Sequence, residues 1–167
     1  MYQEKEFLLE SAVTPLFVFR LDNHLYALPL ADVERVTRSA AITPVAQSSP
    51  VLQGVVNVQG ELLPVVNTRR LLSLPERDLD IDDIFILTRN NEQRVILIAD
   101  AVHQVIQANS ADILVASSLL GRHSPWQGLL ALEDGMVMIQ DLPSCLRYFE
   151  QQPQADLTLA MDGAQHG

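Results

Sequence analysis

The apolar positions of this chain gather in short runs: Leu16–Arg20, Leu25–Leu28, Val55–Val58, Leu62–Val66, Ile84–Thr88, Val95–Ile98, Leu129–Leu132 and Met136–Ile139. The runs are rich in β-branched and aromatic residues. Turn formers such as Asp22-Asn23 and Asn90-Asn91 separate them, a pattern that predicts short strands in a β-barrel or sandwich. Within "QGVVNVQGELLPVVNTRRLL", Gln53 to Leu72, two apolar runs flank Gly60, and Asn67 precedes a run that could be helical. That order predicts a hairpin reversing at Gly60, where a short turn needs positive φ, followed by a turn of helix capped by Asn67.

The pattern is written twice. "QGLLALEDGMVMIQDLPSCL", Gln127 to Leu146, opens on the same Gln-Gly, and Asp141 stands as far after Gly128 as Asn67 stands after Gly54. Upstream, Leu16 to Val36 and Ile84 to Val105 each read as strand, polar turn, strand, Ala-Asp and a second Val-rich strand. Leu16 to Ile84 and Asp32 to Asp100 share one offset. The chain is therefore one β-rich unit in two copies, each small for a core of its own. Between and beyond the copies lie connecting segments. Ser39 to Pro50 is rich in Ser, Ala and Pro, and Ser73 to Asp83 is an acidic loop. Ala108 to Pro125 has room for a short helix near Ala111 to Val115, and residues 151–167 form a polar tail expected to be flexible.

With 167 residues, 48% of them hydrophobic, the chain suits one domain or two small subdomains sharing a core. The longest apolar run is Val95–Ala99, far below the ~20 residues of a membrane-spanning helix, so no direct membrane insertion is expected. Acidic residues precede the first apolar run of the N-terminus, unlike a signal peptide, and Cys145 is the single cysteine; both features suit the cytoplasm. A net charge of −10 with no basic run longer than Arg69-Arg70 argues against nucleic acid.

A search for chemistry ends without a site. Asp78, Asp80 and Asp82 have the spacing of a calcium loop, but Asp83 and Arg89 stand where an EF-hand needs Gly and Glu. His24, His103, His123 and His166 show no ligand spacing; His24 reads as a turn residue and His103 as an exposed strand position. Cys145 reads as a small buried residue of the last helix, and Trp126 as core before interface anchor. Ser117, Ser118 and Ser124 lack a nucleophile elbow, and no Lys-Ser/Thr follows Gly60 to make a phosphate cradle. No catalytic residue, cofactor or metal is expected.

The segment "GVVNVQGELLPVVN" resembles the signature hairpin of the CheW-like adaptors of bacterial chemosensory signalling, which runs Gly-Val-x-Asn-x-Arg-Gly, three variable residues, then Pro-Val-x-Asp. Gly54, Val55, Asn57, Gly60, Pro64 and Val65 match. "FVFRLDNHLYALPLADVERV", "QRVILIADAVHQVI" and "GLLALEDGMVMIQDL" are similar to further elements of that family, so the resemblance spans Leu16 to Tyr148. It implies an all-β fold of two five-stranded SH3-like barrels packed side by side with a few short helices. The expected division is an extension over 1–15 and a CheW-like domain over 16–150, the first barrel mainly 16–72, the second mainly 84–137, with a short helix at 141–149.

The resemblance also implies a non-catalytic adaptor that couples a chemoreceptor's cytoplasmic hairpin tip to the regulatory domain of a CheA-type histidine kinase. The rival readings are a CheW-like adaptor of a pilus-linked or other non-flagellar pathway and, from another class, a β-barrel ligand-binding module. A ligand-binding barrel would show exposed aromatics flanked by basic residues, and this chain has 5% aromatics and no basic cluster. The partner-binding residues so implied are Val33, Arg35, Val36, Gly54, Asn57, Gln59 and Gly60. Two of them depart from the family: Gln59 stands in place of its Arg, and Arg35 in place of its Glu, with Glu34 one position earlier. In the family these two residues are often an ion pair near the partner surface, so Arg35 and Gln59 are expected to lie close together on one exposed surface. Asn67 replaces the family's Asp, and either residue can cap a helix.

Overall fold

The computed structural model describes residues 12–46, 50–90, 93–115 and 126–141. Eleven strands run in chain order among them: β1 (Val13–Leu21), β2 (His24–Pro29), β3 (Val33–Arg38), β4 (Leu52–Val58), β5 (Glu61–Val66), β6 (Ile84–Asn90), β7 (Gln93–Ala99), β8 (Ala101–Asn109), β9 (Leu114–Val115), β10 (Trp126–Leu132) and β11 (Gly135–Gln140). One α-helical turn, α1 (Thr68–Leu71), follows β5. Its N-cap is Asn67, whose Oδ1 accepts from Arg70 N at 3.1 Å. The segment expected to be helical at Ala111 to Val115 is instead a 3₁₀ turn (Ser110–Asp112) and the two-residue β9. Its apolar residues Ile113 and Leu114 lie against β10 rather than on one face of a helix. The expected helix at 141–149, the tail at 151–167, Cys145 and the side chain of Trp126 lie outside the described residues.

The strands form two sheets, ordered β8-β1-β2-β11-β10-β9 and β3-β6-β7-β5-β4. Pairing is antiparallel except for β11 with β2 and β5 with β7. These parallel pairs are equivalent in the two copies, since Ile139↔Ala27 in one sheet corresponds to Val65↔Ile96 in the other.

Leu16–Leu72 supplies three of the five strands of one sheet and the chain from Ile84 onward four of the six of the other, but neither sheet is built from one copy alone. Each copy lends its opening hairpin to the sheet made by the rest of the other copy: β1 and β2 join β8 to β11, while β6 and β7 join β3 to β5. The reason lies in the connections. Only the 3₁₀ turn Leu30–Asp32 separates β2 from β3, and only Asp100 separates β7 from β8. Neither connection is used to reverse the chain into a hairpin, so the strand bends and continues onto the neighbouring sheet.

The exchange gives both opening hairpins two buried faces. On β1, Phe17 and Phe19 point to one side and Leu16 and Val18 to the other; on β2, Tyr26 and Leu28 are separated from Leu25 and Ala27, as strand alternation requires. Phe17, Phe19, Tyr26 and Leu28 meet Ile86, Val95 and Leu97 in a core shared by the sheets, with Phe19 and Tyr26 rings stacked at 5.9 Å. Leu16, Val18 and Ala27 fill the first sheet's own core with Leu130, Val137 and Ile139. Phe85, Leu87 and Ile96 fill the second sheet's core with Leu63 and Val65. Complete burial of such side chains contributes ~1.5–3 kcal/mol each, so the three clusters dominate the fold's stability.

The Gln-Gly that opens each signature segment has one structural meaning in both copies. Gln53 and Gln127 are the extra residues of β-bulges in β4 and β10. The glycine after each bulge admits another stretch of backbone: a Cβ on Gly54 would stand 2.2 Å from Thr43 O, and one on Gly128 2.9 Å from Leu114 O. Thr43 bridges Val55 where Leu114 pairs Leu129.

Candidate partner-binding surface

The hairpin of β4 and β5 turns on two residues. Gln59 and Gly60 have φ of 52° and 90°, the left-handed pair that a two-residue hairpin turn needs. Asn57 Oδ1 accepts from Gly60 N at 2.8 Å, so the motif's asparagine fixes the tip. This arrangement presents Gln59 at the apex. Leu62, directly across from Asn57, is 64% exposed and supplies an apolar surface beside the tip.

At the far end of the sheet order, β3 carries Arg35 and Glu34, both exposed. Arg35 pairs with Leu87 and Val33 with Thr88, which leaves Glu34 as the extra residue of a bulge. Glu34 is gripped by Arg94 of β7 in a bidentate pair, Nε to Oε2 and Nη2 to Oε1, both at 3.0 Å. Arg94 also donates to Glu61, the residue after the Gln59-Gly60 turn. Hydrogen bonding to Arg94 holds the Glu34 carboxyl below the usual glutamate range, and Arg94 is raised in turn. Arg94 thus ties the bulge of β3 to the tip of the signature hairpin.

The sequence-derived residues divide accordingly. Arg35, Asn57, Gln59 and Gly60 are exposed, whereas Val33 and Val36 are half-buried and pack on the shared core, and Gly54 is buried under Thr43. Nothing local in the sequence marks Glu61 or Arg94, and Glu34 reads there only as a displaced acid. Arg94 lies 60 residues from Glu34, and no local pattern marks a pairing that depends on strand order.

A second charged cluster lies where the chain passes between sheets. Arg69 on α1 is only 8% exposed; its guanidinium bonds Asp100 Oδ1 and Oδ2 at 3.0 Å, Asp22 Oδ1 at 2.8 Å and the carbonyl of Pro75 at 3.1 Å. Arg77 bridges Asp100 and Asp83, each at 2.6 Å. Asp22 N donates to Asp100 Oδ2 at 2.7 Å. The cluster clamps the β1–β2 turn, the β7–β8 connection and the acidic loop together. Its carboxylates are consumed by arginines and backbone donors, and no group of three or more metal-ligating side chains occurs among the described residues. No helix among them is long and apolar enough to cross a membrane.

The CheW-like domain profile matches residues 15–150. This chain belongs to the CheW-like family. It is 27% identical to chemotaxis protein CheW of Thermotoga maritima over 126 residues, 74% of this chain and 82% of that protein. It is 23% identical to chemotaxis protein CheW of Rhizobium meliloti over 131 residues, 77% of this chain and 84% of that protein. Its fold is similar to the crystal structure of the scaffolding protein TtCheW from Thermoanaerobacter tengcongensis, with TM-score 0.70 and 25% identity, covering 78% of this chain and 90% of that one. The protein is a non-catalytic scaffold of chemotaxis signalling with an all-β, SH3-like architecture.

Proposed function

We propose that this protein couples the cytoplasmic hairpin tips of chemoreceptors to the regulatory domain of a CheA-type histidine kinase, in the cytoplasm and at receptor arrays. The observation that carries the reading is the rigid tip of the signature hairpin, capped by Asn57 and anchored through Arg94 to the bulge of β3. A scaffold needs a surface whose shape does not change when partners dock, and rigidity of this kind lowers the ordering cost of association. Arg35, Asn57 and Gln59 form the exposed polar part of that surface, and Leu62 its apolar part.

The test is biolayer interferometry of the purified chain against the regulatory domain of a CheA-type kinase from the same organism and against a soluble receptor-tip fragment. Saturable binding to both, weakened by Leu62→Asp with an unchanged melting temperature, is the expected result. Binding to neither would defeat the proposal.

A further inference from the structure

Three arginines gather around one carboxylate at the end of the second sheet. Arg35 opposes Leu87 across β3 and β6, and Arg94 opposes Arg89 across β6 and β7. Opposed residues of an antiparallel pair share a face, and Leu87 and Arg89 are two residues apart on β6, so Arg35, Arg89 and Arg94 stand on one side of the sheet. Leu87 is buried in that sheet's own core, which puts the arginines at the rim of the same face. Glu34, bulged out of β3, lies among them: Arg94 bonds it twice at 3.0 Å, and Arg89 Nε lies 3.9 Å from its Oε2.

The three cations are not equally engaged. Arg94 donates through Nε and Nη2 to Glu34 and through Nη1 to Glu61, and its side chain is 18% exposed. Arg89 is 58% exposed and stands beyond hydrogen-bond distance of a carboxylate oxygen that already accepts from Arg94. Arg35 is exposed and has no ion pair among the described residues. The hydrogen bonds of Arg94 come first in holding the Glu34 carboxyl below its usual range, and the charges of Arg94, Arg89 and Arg35 add to them. Glu34 and Glu61 offset two of the three positive charges, so one is left over on a chain whose net charge is −10.

That contrast decides the kind of ligand. An extended polyanion such as nucleic acid, or an anionic membrane, would meet the acids of the rest of the chain, whereas a short acidic segment can reach the arginines alone. Each guanidinium presents a planar fork that binds a carboxylate through two parallel hydrogen bonds. By sheet spacing Arg35 and Arg89 are about 8 Å apart, close to the ~7 Å between alternate residues of an extended segment.

We infer that Arg35 and Arg89 form a docking site for a short acidic segment of a protein partner, beside the clamp of Arg94 on Glu34 and Glu61. The inference rests on the scaffold reading proposed above and gives that surface its chemistry: the partner brings the carboxylates.

Two measurements on the full chain test this. The arginine Nε–Hε resonances, assigned with the single variants Arg35→Gln and Arg89→Gln, are followed as a hexaglutamate peptide is added at low salt. Those of Arg35 and Arg89 are expected to shift together and saturably while those of Arg69, Arg77 and Arg94 stay; no saturable shift at Arg35 and Arg89, or tighter binding there of a single-stranded oligonucleotide of equal charge, overturns the inference. Association with the receptor-tip fragment and with the kinase regulatory domain is then compared for the parent and for the double variant Arg35→Gln, Arg89→Gln. Severalfold slower association with at least one of them at low salt, at an unchanged melting temperature, is expected. Parent-like kinetics with both overturns this site and leaves the scaffold reading standing. If the parent chain binds neither, the scaffold reading falls, and the peptide titration decides the site.

Discussion

Glu34 and His103 occupy the same place in the two copies of the unit. Each is the extra residue of a β-bulge on the third strand of its copy, Glu34 between Val33 and Arg35 on β3 and His103 between Val102 and Gln104 on β8. Each also reaches the tip of a hairpin in its own sheet. Glu34 does so through Arg94 to Glu61, and His103 Nε2 lies 3.0 Å from Asp134 Oδ2 in the β10–β11 turn. A bulge re-aims a side chain out of the strand's alternation, so one backbone device serves both sheets with different chemistry. Beside the signature hairpin, the bulge of β3 carries Glu34, and Arg94 ties it to Glu61 after the turn.

The pH dependence of this contact follows from the lowered Glu34 pKa. Stability gained from a depressed carboxyl is present above its unfolded pKa and is lost as pH falls through the folded value. Glu34→Gln should lower the thermal midpoint modestly at pH 7, by no more than a few degrees for so exposed a pair. The difference from the parent protein should be full above the ordinary glutamate range and shrink as pH falls below it through the lowered folded value. Calorimetry across pH 3–7 checks both the size and the sign.

Asp32 has the opposite sign. Burial, and then the nearby charge of Asp141, raise its pKa. Below the unfolded value Asp32 is protonated in both states and costs nothing; as pH rises through the raised folded value its charge becomes a liability of the folded state. Asp32→Asn should therefore raise the thermal midpoint at pH 7, with the gain gone by pH 3. A loss of stability at pH 7 would show that the carboxylate is needed there.

Gly54→Ala should be among the most damaging single substitutions, costing about 3 kcal/mol or more, because the new Cβ would meet backbone, Thr43 O at 2.2 Å. Gly128→Ala should cost less, about 1–3 kcal/mol, since the Ile113 side chain at 2.7 Å can turn aside and the backbone the new Cβ meets, Leu114 O at 2.9 Å, has less far to shift than Thr43 O. Urea denaturation of both variants gives the ranking.

Much of this fold could be read from residues whose meaning is local. Strand alternation put Phe17 and Phe19 opposite Val18, the Gln-Gly repeat marked equivalent hairpins, and Asn67 announced a cap. The exchange of hairpins was not legible, because which sheet β1 joins is decided by pairing with β8 and β11, far along the chain. The same holds for the site. Asn57, Gln59 and Gly60 lie in one turn and carry a motif, whereas Arg94 acquires its role only when β6 places β7 within reach of β3.

Removing Arg69 should expose the value of the inter-sheet clamp. Arg69→Met keeps much of the side chain's bulk but leaves Asp22 and Asp100 without their shared guanidinium. Arg77 still holds Asp100, and Asp22 is 40% exposed in its side chain, so the loss should fall below that of a fully buried pair, about 1–3 kcal/mol. Proteolysis should then nick the loop between Ser73 and Asp83 sooner than in the parent protein, because Arg69 also holds the carbonyl of Pro75.

The family pattern can be restored with Arg35→Glu and Gln59→Arg. Arg35 is exposed on β3 and adjoins Glu34; Gln59 is exposed at the apex of a hairpin whose Glu61 shares Arg94 with Glu34. Arg35 thus lies next to one end of the Glu34–Arg94–Glu61 network in sequence, and Gln59 two residues from its other end. The double variant would place a carboxylate next to Glu34 in sequence and a guanidinium at the exposed apex of the hairpin, both on the surface. Exposed pairs contribute ~0–1 kcal/mol, so the melting temperature should shift little. Recognition should respond more, since Arg35 would no longer be available to an acid on a partner and rim charges govern association rate and partner choice. The association rate constant for the kinase regulatory domain, measured at low and at high salt, should change severalfold at low salt and converge with the parent value at high salt. Unchanged kinetics with both the kinase domain and the receptor tip would remove these two residues from the partner surface and leave Leu62 and the hairpin backbone to carry it.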